Sequence, residues 1–223
     1  MCADCNSGGP VRRPVVGVLG SGTEPLRRAV AERCRTLGEL LARRGCHLLT
    51  GGGLGVMAAV SRAFVETPGR GGLALAVLPG DAETGEPPAG YPNPFVELAI
   101  RTHLPARGER GGDHDSRNHL NVLSADAVIA LAGGAGTVSE VRLALRYGRP
   151  VLVLVGDVLV DDVLVGDVLV GDVLADDVER ELPGCPVEVP RAVSLEAVEV
   201  WLDRALRSWM DAETPKPFHP PAS

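Results

Sequence analysis

Lysine is almost absent from this chain. Among 223 residues the only lysine is Lys216, in a Pro-rich segment near the C-terminus. The sequence therefore has no Gly-Lys-Ser/Thr phosphate loop, and no lysine in its predicted core could form a Schiff base with pyridoxal phosphate. A G-x-S-x-G nucleophile elbow is missing as well. These absences exclude P-loop nucleotide hydrolysis, pyridoxal chemistry and serine hydrolysis of the α/β-hydrolase type.

Aromatic residues and long uncharged apolar runs are also scarce. Phe, Trp and Tyr make up 3% of the chain, so Val, Leu and Ala must form the core of what its length predicts to be one globular domain. No apolar stretch reaches transmembrane length without a charge, and residues 1–10 do not resemble a signal peptide. The five cysteines are widely spaced, which is typical of reduced thiols. Together with a net charge of −7, this predicts a cytoplasmic protein with no nucleic-acid or membrane partner.

Strand and helix patterns alternate along the chain. We predict strands at residues 15–19, 46–49, 73–78, 95–100, 125–131 and 151–155, and helices at residues 25–44, 56–65, 116–123, 137–147 and 194–211. Apolar strands that alternate with helices indicate an α/β fold, a Rossmann-like doubly wound parallel sheet with helices on both faces. We expect one nucleotide-binding domain at residues 15–212, with flexible tails at residues 1–14 and 213–223.

A five-residue repeat of the type Asp-Val-Leu-Val-Gly occupies residues 157–177. A period of five matches neither the strand nor the helix repeat. We interpret residues 156–178 as a low-complexity insertion, either an expanded surface loop or a pairing edge that helps to assemble an oligomer. Deletion of residues 157–176 is expected to leave the sheet intact, and loss of soluble, cooperatively unfolding protein would contradict this.

The most informative segment is a glycine-rich turn between a predicted strand and a predicted helix. Its glycines follow Leu131 directly, and a helix pattern begins at Thr137. A strand, a glycine turn and a helix N-terminus in this order form an anion site, because backbone N–H groups and the helix dipole both favour negative charge there. Glycine at such a turn also allows positive φ angles. We therefore predict a phosphorylated small-molecule ligand, bound by Gly133, Gly134, Ala135, Gly136 and Thr137.

Glu140 lies in the predicted first turn of the helix that follows. A carboxylate in this position is expected to stay ionised and to face the sugar of a ligand rather than its phosphate. The alternative is a capping box, in which Thr137 caps the helix and Glu140 reaches back to a backbone N–H. The position of this segment at the predicted ligand edge favours a ligand contact.

Two further glycine turns follow predicted strands, at residues 20–22 and 51–55. The carboxyl ends of parallel strands share one edge, where ligands bind, so all three turns are expected to meet there. A nicotinamide or flavin dinucleotide site is not predicted. Pro25 stands where the third glycine of G-x-G-x-x-G belongs, and the second strand is followed by Thr50 rather than by an acid.

Residues 113–119 are dense in polar groups. They lack the spacing of known metal motifs, and the CxxC near the N-terminus has no second pair, so no metal site is predicted. Asp115 or Ser116 is expected to cap a helix. Arg117 is either an exposed surface arginine or a guanidinium group that binds an anionic ligand.

Three motifs together resemble the LOG-like (SLOG) Rossmann superfamily, which includes the cytokinin-activating nucleoside 5′-monophosphate phosphoribohydrolases, often labelled lysine decarboxylases. The motifs are GGGLGVM at residues 51–57, Arg117-Asn118 followed by residues 124–127, and GGAGTVSE at residues 133–140. The chain looks most similar to the branch related to the molybdenum cofactor carrier. The absence of a core lysine excludes a lysine decarboxylase.

By this resemblance, Arg117 and Glu140 are the catalytic pair. The resemblance also implies a homodimer or higher homo-oligomer that needs no cofactor and no metal. Two positions differ from the hydrolases, which have Pro in place of Ala132 and Lys in place of Asn118. Besides residues 133–137, the residues that the resemblance assigns to phosphate or nucleotide binding are Gly20, Ser21, Gly52, Gly53, Gly55, Met57 and Asn118.

The resemblance therefore implies hydrolysis of the N-glycosidic bond of a nucleoside 5′-monophosphate to free base and ribose 5-phosphate. The anomeric carbon gains positive charge as the base leaves, so Glu140 would stabilise it or activate water, and Arg117 would orient ligand and carboxylate. The alternative is a carrier or sensor that binds a nucleotide or a pterin phosphate of the molybdenum cofactor type without turnover. Both functions would bind the phosphate at the same glycine turn, residues 133–137, which we call the phosphate loop.

Overall fold

The computed structural model describes residues 12–155, 182–186 and 189–212. The predicted insertion at residues 156–178, the C-terminal tail and residues 1–11 of the N-terminal tail lie outside the described residues. Arg12, within the predicted N-terminal tail, donates hydrogen bonds of 2.9 and 3.0 Å to the carboxylate of Asp126.

A parallel sheet with flanking helices forms the described fold. Its strands are β1 (Val15–Leu19), β2 (His47–Thr50), β3 (Ala74–Leu78), β4 (Leu98–Arg101), β5 (Ala127–Ala130), β6 (Val151–Leu154) and β7 (Arg191–Ala192). Its helices are α1 (Arg28–Arg43), α2 (Val56–Glu66), α3 (Asn118–Ser124), α4 (Ala135–Arg146) and α5 (Leu195–Ala212), with a short 3₁₀ helix at Gly108–Gly112. The strand order is β4-β3-β2-β1-β5-β6-β7, and every pair is parallel. The predicted Rossmann-like α/β fold is confirmed.

Helices pack on both faces of the sheet. α1, α2 and α5 share one hydrophobic cluster with Val16 and Val18 of β1, whereas α3 and α4 share a second cluster with Leu19 and Val128. Alternate residues of one strand therefore enter opposite cores, as strand geometry requires. At the edge strand β4, all four residues are exposed. The reason is that an irregular loop rather than a helix connects β3 to β4.

The element boundaries differ from prediction in ways that affect the site. α1 begins at Arg28 rather than at Pro25, because the backbone of Arg27 is still extended. α4 begins at Ala135, which is earlier than the predicted Thr137, so the end of the glycine turn is already helical. The strand β7 was not predicted, since its two residues are too few to form a periodic pattern.

The three glycine turns lie at the carboxyl edge of the sheet, as predicted. The loop after β1 is hydrogen-bonded to the other two turns. The backbone N–H of Ser21 donates to the carbonyl oxygen of Ala132 at 2.9 Å, and the carbonyl oxygen of Ser21 accepts from the N–H of Val56 at 2.8 Å. The long loop after β3 reaches the same edge, where the N–H of Asn93 donates to the oxygen of Gly52 at 2.8 Å. Backbone hydrogen bonds thus hold these loops in place around one edge.

Candidate functional site

The anion site predicted at the start of α4 has an open helix N-terminus. Gly134 is the N-cap residue, and no side chain caps the helix there. Helical hydrogen bonding begins when the N–H of Val138 donates to the oxygen of Gly134 at 3.1 Å. The N–H groups of residues 135–137 therefore have no acceptor inside the helix and are oriented toward its N-terminal end.

The glycines of this turn serve packing and access rather than an unusual backbone conformation. None of the three is among the positive-φ glycines of the described residues, and Gly134 has a φ of −113°. A Cβ on Gly133 would lie 2.1 Å from Oγ1 of Thr137, and one on Gly136 would lie 3.3 Å from Cα of Gly108. A Cβ on Gly134 would meet nothing within 4 Å, so this glycine leaves space in front of the helix.

Arg117 stands at the start of α3, and its side chain is buried. Arg117 itself is the N-cap residue, so the predicted cap at Asp115 or Ser116 is one or two residues too early. Ser116 still satisfies the helix start, because its hydroxyl accepts from the N–H of Asn118 at 3.2 Å. Asp115 instead pairs with Arg110 at 3.2 Å. Arg117 is only 5% exposed, which excludes the interpretation as a surface arginine.

The guanidinium group of Arg117 contacts residues from all three motifs of the family resemblance, at residues 51–57, 117–118 and 133–140. Its Nη1 lies 3.3 Å from Oε1 of Glu140, and the two side chains are 6% and 10% exposed. Nη1 also donates to the amide oxygen of Asn118, and Nη2 donates to the carbonyl oxygen of Gly51 at 3.4 Å. A Cβ on Gly51 would lie 2.3 Å from Nη2, so a glycine is needed at this position for the guanidinium group to fit. The predicted pair is thus brought together as a buried ion pair.

Glu140 is not a member of a capping box. Because α4 begins at Ala135, Glu140 lies beyond the first turn, and its carboxylate contacts Arg117 and Asn121 instead of a backbone N–H of the turn. Burial raises the pKa of Glu140, and the opposing influence of the Arg117 charge and of the hydrogen bonds from Asn121 and Arg117 is smaller.

Asn118 and Ser139 connect the two helices beside this pair. The amide nitrogen of Asn118 donates to Oγ of Ser139 at 3.3 Å, and that hydroxyl donates to the carbonyl oxygen of Gly136 at 2.7 Å. A Cβ on Gly111 would lie 2.3 Å from Oγ of Ser139 and 2.5 Å from the Asn118 amide, so the 3₁₀ helix packs closely against both side chains. Asn118, predicted to bind the ligand, has its polar atoms engaged within the protein.

Asn121 is a site residue that the sequence reasoning missed. It follows Arg117 by one helical turn, and its Nδ2 donates to Oε1 of Glu140 at 3.4 Å. The spacing of four residues on a helix was the available signal, because it places both side chains on one face. Neither the glycine pattern nor the family motifs single out this position.

The remaining predicted binding residues shape the edge of the sheet. Gly52 and Gly55 have φ angles of 75° and 61°, so the turn after β2 needs glycine at both positions. Gly53 lies between Met57 and Tyr91, whose atoms a Cβ on it would approach to 2.7 and 2.8 Å. These residues form the turn itself, and no hydrogen bond joins them to Arg117 or Glu140 within the described part of the chain.

Two cavities lie near this edge. The smaller, of about 200 Å³, is lined by Ser21, Arg27 and Gly133 among others, so it connects the turn after β1 with the start of the phosphate loop. The larger is a groove of about 1140 Å³ between α1 and α2, and neither cavity is lined by Arg117 or Glu140. Of the two, only the smaller cavity is lined by a residue of the predicted phosphate-binding turn, Gly133.

Metal-binding clusters and membrane-spanning helices are both absent from the described residues. No group of three or more His, Cys, Asp or Glu side chains there is arranged to hold a metal ion. None of the helices in the same part of the chain has the length and apolar character needed to cross a membrane.

Comparison with known proteins gives consistent matches. The model of the SLOG cluster4 family matches residues 13–173. An uncharacterised protein of Archaeoglobus fulgidus is 33% identical over 140 residues, which cover 62% of this chain and 78% of that protein. The molybdenum cofactor binding protein of Rippkaea orientalis is 30% identical with a TM-score of 0.62, covering 88% of this chain and 99% of its own. The molybdenum cofactor carrier protein of Chlamydomonas reinhardtii is 26% identical with a TM-score of 0.61, covering 87% and 99%. These matches confirm the predicted resemblance.

Proposed function

This chain belongs to the SLOG cluster4 family, and from that premise we propose that it binds a phosphorylated nucleotide or pterin at the carboxyl edge of its sheet. We propose further that it hydrolyses the N-glycosidic bond of a nucleoside 5′-monophosphate. The observation that carries this proposal is the buried ion pair between Arg117, at the start of α3, and Glu140, on the helix that begins at the phosphate loop, with 3.3 Å between Nη1 and Oε1.

The phosphate group would bind at the first turn of α4. The N–H groups of residues 135–137 and the positive end of the helix dipole provide the donors and the charge, and the open space at Gly134 provides access. Along the helix axis, the five residues from Ala135 to Glu140 correspond to a rise of about 7.5 Å. A ribose whose 5′-phosphate binds at the helix start therefore reaches toward Glu140 with its anomeric carbon.

Glu140 and Arg117 have complementary roles in this reaction. The C–N bond to the base breaks and its electron pair leaves with the base, while water adds to the anomeric carbon. Glu140 takes one proton from that water and afterwards releases it to solvent, and the departing base takes up one proton from solvent. The products are then ribose 5-phosphate and free base. Burial raises the pKa of Glu140, which strengthens the carboxylate as a base, and the Arg117 charge opposes this by favouring the ionised form.

The direct test is incubation of the wild-type protein with a panel of nucleoside 5′-monophosphates, with detection of free base by chromatography. The proposal expects release from at least one of them and expects the matching nucleoside, which lacks the phosphate, to be a much poorer substrate. Release of base from none of the panel would contradict hydrolysis.

A second candidate function is that of a non-catalytic carrier of a pterin phosphate. It is supported by the names of two structural relatives, a molybdenum cofactor binding protein and a molybdenum cofactor carrier protein, each of which is covered over 99% of its length. In a carrier the same phosphate loop would hold the ligand, and the Arg117–Glu140 pair would stabilise the site without turnover. Stoichiometric binding of the molybdenum cofactor without any base release from nucleotides would favour the carrier.

Three expectations, about cellular location, nucleic-acid binding and oligomeric state, stay predictions. They are a cytoplasmic location, the absence of a nucleic-acid partner, and assembly into a homodimer or higher homo-oligomer. Light scattering coupled to size-exclusion chromatography tests the assembly, and titration with labelled single-stranded and double-stranded DNA tests the absence of nucleic-acid binding.

A further inference from the structure

Asn121 and Arg117 approach Glu140 from the same helix. They lie four residues apart on α3, and the N–H of Asn121 donates to the carbonyl oxygen of Arg117 at 3.1 Å. Arg117 Nη1 at 3.3 Å and Asn121 Nδ2 at 3.4 Å both donate to Oε1 of Glu140. These distances are at the long end for such contacts, as is common for catalytic groups before a ligand closes the site.

The two oxygens of the Glu140 carboxylate differ in their hydrogen bonding. Oε1 of Glu140 has two donors, whereas no hydrogen bond within the described part of the chain reaches Oε2. The Glu140 side chain retains 10% exposure. Oε2 is therefore the oxygen that remains available to a water molecule or to a ligand.

Asn121 also has an unsatisfied polar atom of its own. Its Oδ1 is buried and has no hydrogen-bond partner among the described residues. A buried acceptor without a partner costs roughly 1–3 kcal/mol, which a polar group of a ligand or of Glu140 itself can offset. An amide can donate to a carboxylate and, after rotation of its terminal group, accept from a carboxylic acid. It can thus hold Glu140 before and after a proton has been transferred.

We infer that Asn121 is a positioning residue for Glu140, which holds Oε1 in both protonation states and thereby leaves Oε2 to act on the ligand. This inference rests on the proposed hydrolysis at the same site. It distinguishes Asn121 from Asn118, whose side chain contacts Arg117 and Ser139 rather than Glu140.

The test uses Asn121→Leu, which removes the hydrogen bond but keeps a side chain of similar size. The titration of Glu140 is followed by carbon-13 NMR of its side-chain carboxyl group, assigned by comparison with Glu140→Gln. We expect the pKa of Glu140 to rise, because a donor to its charged form is lost while burial and the Arg117 charge remain. With the nucleotide that the wild type cleaves fastest, kcat should fall by about tenfold or more, and KM should change little.

Two further variants keep the test decisive. If Asn121→Leu does not fold, Asn121→Ser replaces it, because it is smaller and still polar. Asn93→Ser is the matched control: Asn93 is also a buried asparagine, but its amide donates to the carbonyl oxygen of Gly53 at 2.9 Å. The control should lower stability without moving the titration of Glu140.

The outcomes separate this inference from the proposed function. An unmoved Glu140 titration in a folded Asn121 variant, or an unmoved kcat, would overturn the role of Asn121. Absence of base release in the wild type would overturn hydrolysis, whereas the NMR titration would still decide whether Asn121 holds Glu140.

Discussion

The clearest test of the phosphate loop is Gly134→Val. A side chain at this position meets no protein atom within 4 Å of its Cβ, so the fold has room for it, but it would occupy the space in front of the helix N-terminus. The variant should therefore stay folded and lose its ligand. Valine is a poorer N-cap residue than glycine, which costs on the order of 0.5–1 kcal/mol of stability and lowers Tm by a few degrees.

The loss of binding should be much larger than the loss of stability. A charge-assisted hydrogen bond contributes about 1.5–3 kcal/mol, so exclusion of a phosphate that accepts two of them weakens binding by about 3–6 kcal/mol. This corresponds to a roughly 10²–10⁴-fold increase in Kd. Isothermal titration calorimetry with the panel of nucleoside 5′-monophosphates measures the change, and circular dichroism confirms folding.

Gly112→Val is the matched control for this experiment. Gly112 also has nothing within 4 Å of its Cβ position and no positive φ, but it lies at the end of the 3₁₀ helix rather than in the phosphate loop. It should bind like the wild type. Wild-type affinity in a folded Gly134→Val variant would refute the assignment of the phosphate to this turn.

Two further predictions concern stability. Gly133→Ala should destabilise the protein by about 1–3 kcal/mol, because its Cβ would lie 2.1 Å from Oγ1 of the buried Thr137; an unchanged Tm would contradict this packing. Glu140→Gln should change the dependence of stability on pH. The pKa of Glu140 in the folded protein is raised above 4.5, so folding favours the protonated side chain. The resulting contribution to the free energy of unfolding is present at lower pH and is lost as pH rises through the folded pKa. Urea unfolding from pH 4 to pH 8 should therefore show the wild type losing stability relative to the variant, and the opposite trend would show that the ion pair with Arg117 outweighs burial.

The local features of the fold could be predicted from the sequence. Each glycine turn lies between an apolar strand and an amphipathic helix, so its place at the carboxyl edge follows from the parallel arrangement alone. The start of α4 was misplaced because Thr137 and Glu140 match a capping box, whereas Gly134 occupies the N-cap position. The sequence pattern alone could not distinguish a helix capped by Thr137 from one capped by Gly134.

The contacts of the site depend on residues far apart in the sequence. Arg117 and Glu140 were paired through the family resemblance, because no periodic pattern places residues of two helices beside each other. The raised pKa of Glu140 depends on how deeply α3 and the 3₁₀ helix bury α4, which the sequence does not express. Asn121 was overlooked for the same reason, since its partner lies on another helix.

The most direct test of the central claim compares the rate of base release by the wild type and by Glu140→Gln, with melting temperatures measured beside the rates. Glutamine keeps the size and hydrogen-bonding capacity of the side chain but cannot accept the proton or stabilise positive charge at the anomeric carbon. The account predicts that turnover falls by ~10² or more while the protein stays folded and ligand affinity is kept. Full activity in the glutamine variant would contradict the mechanism.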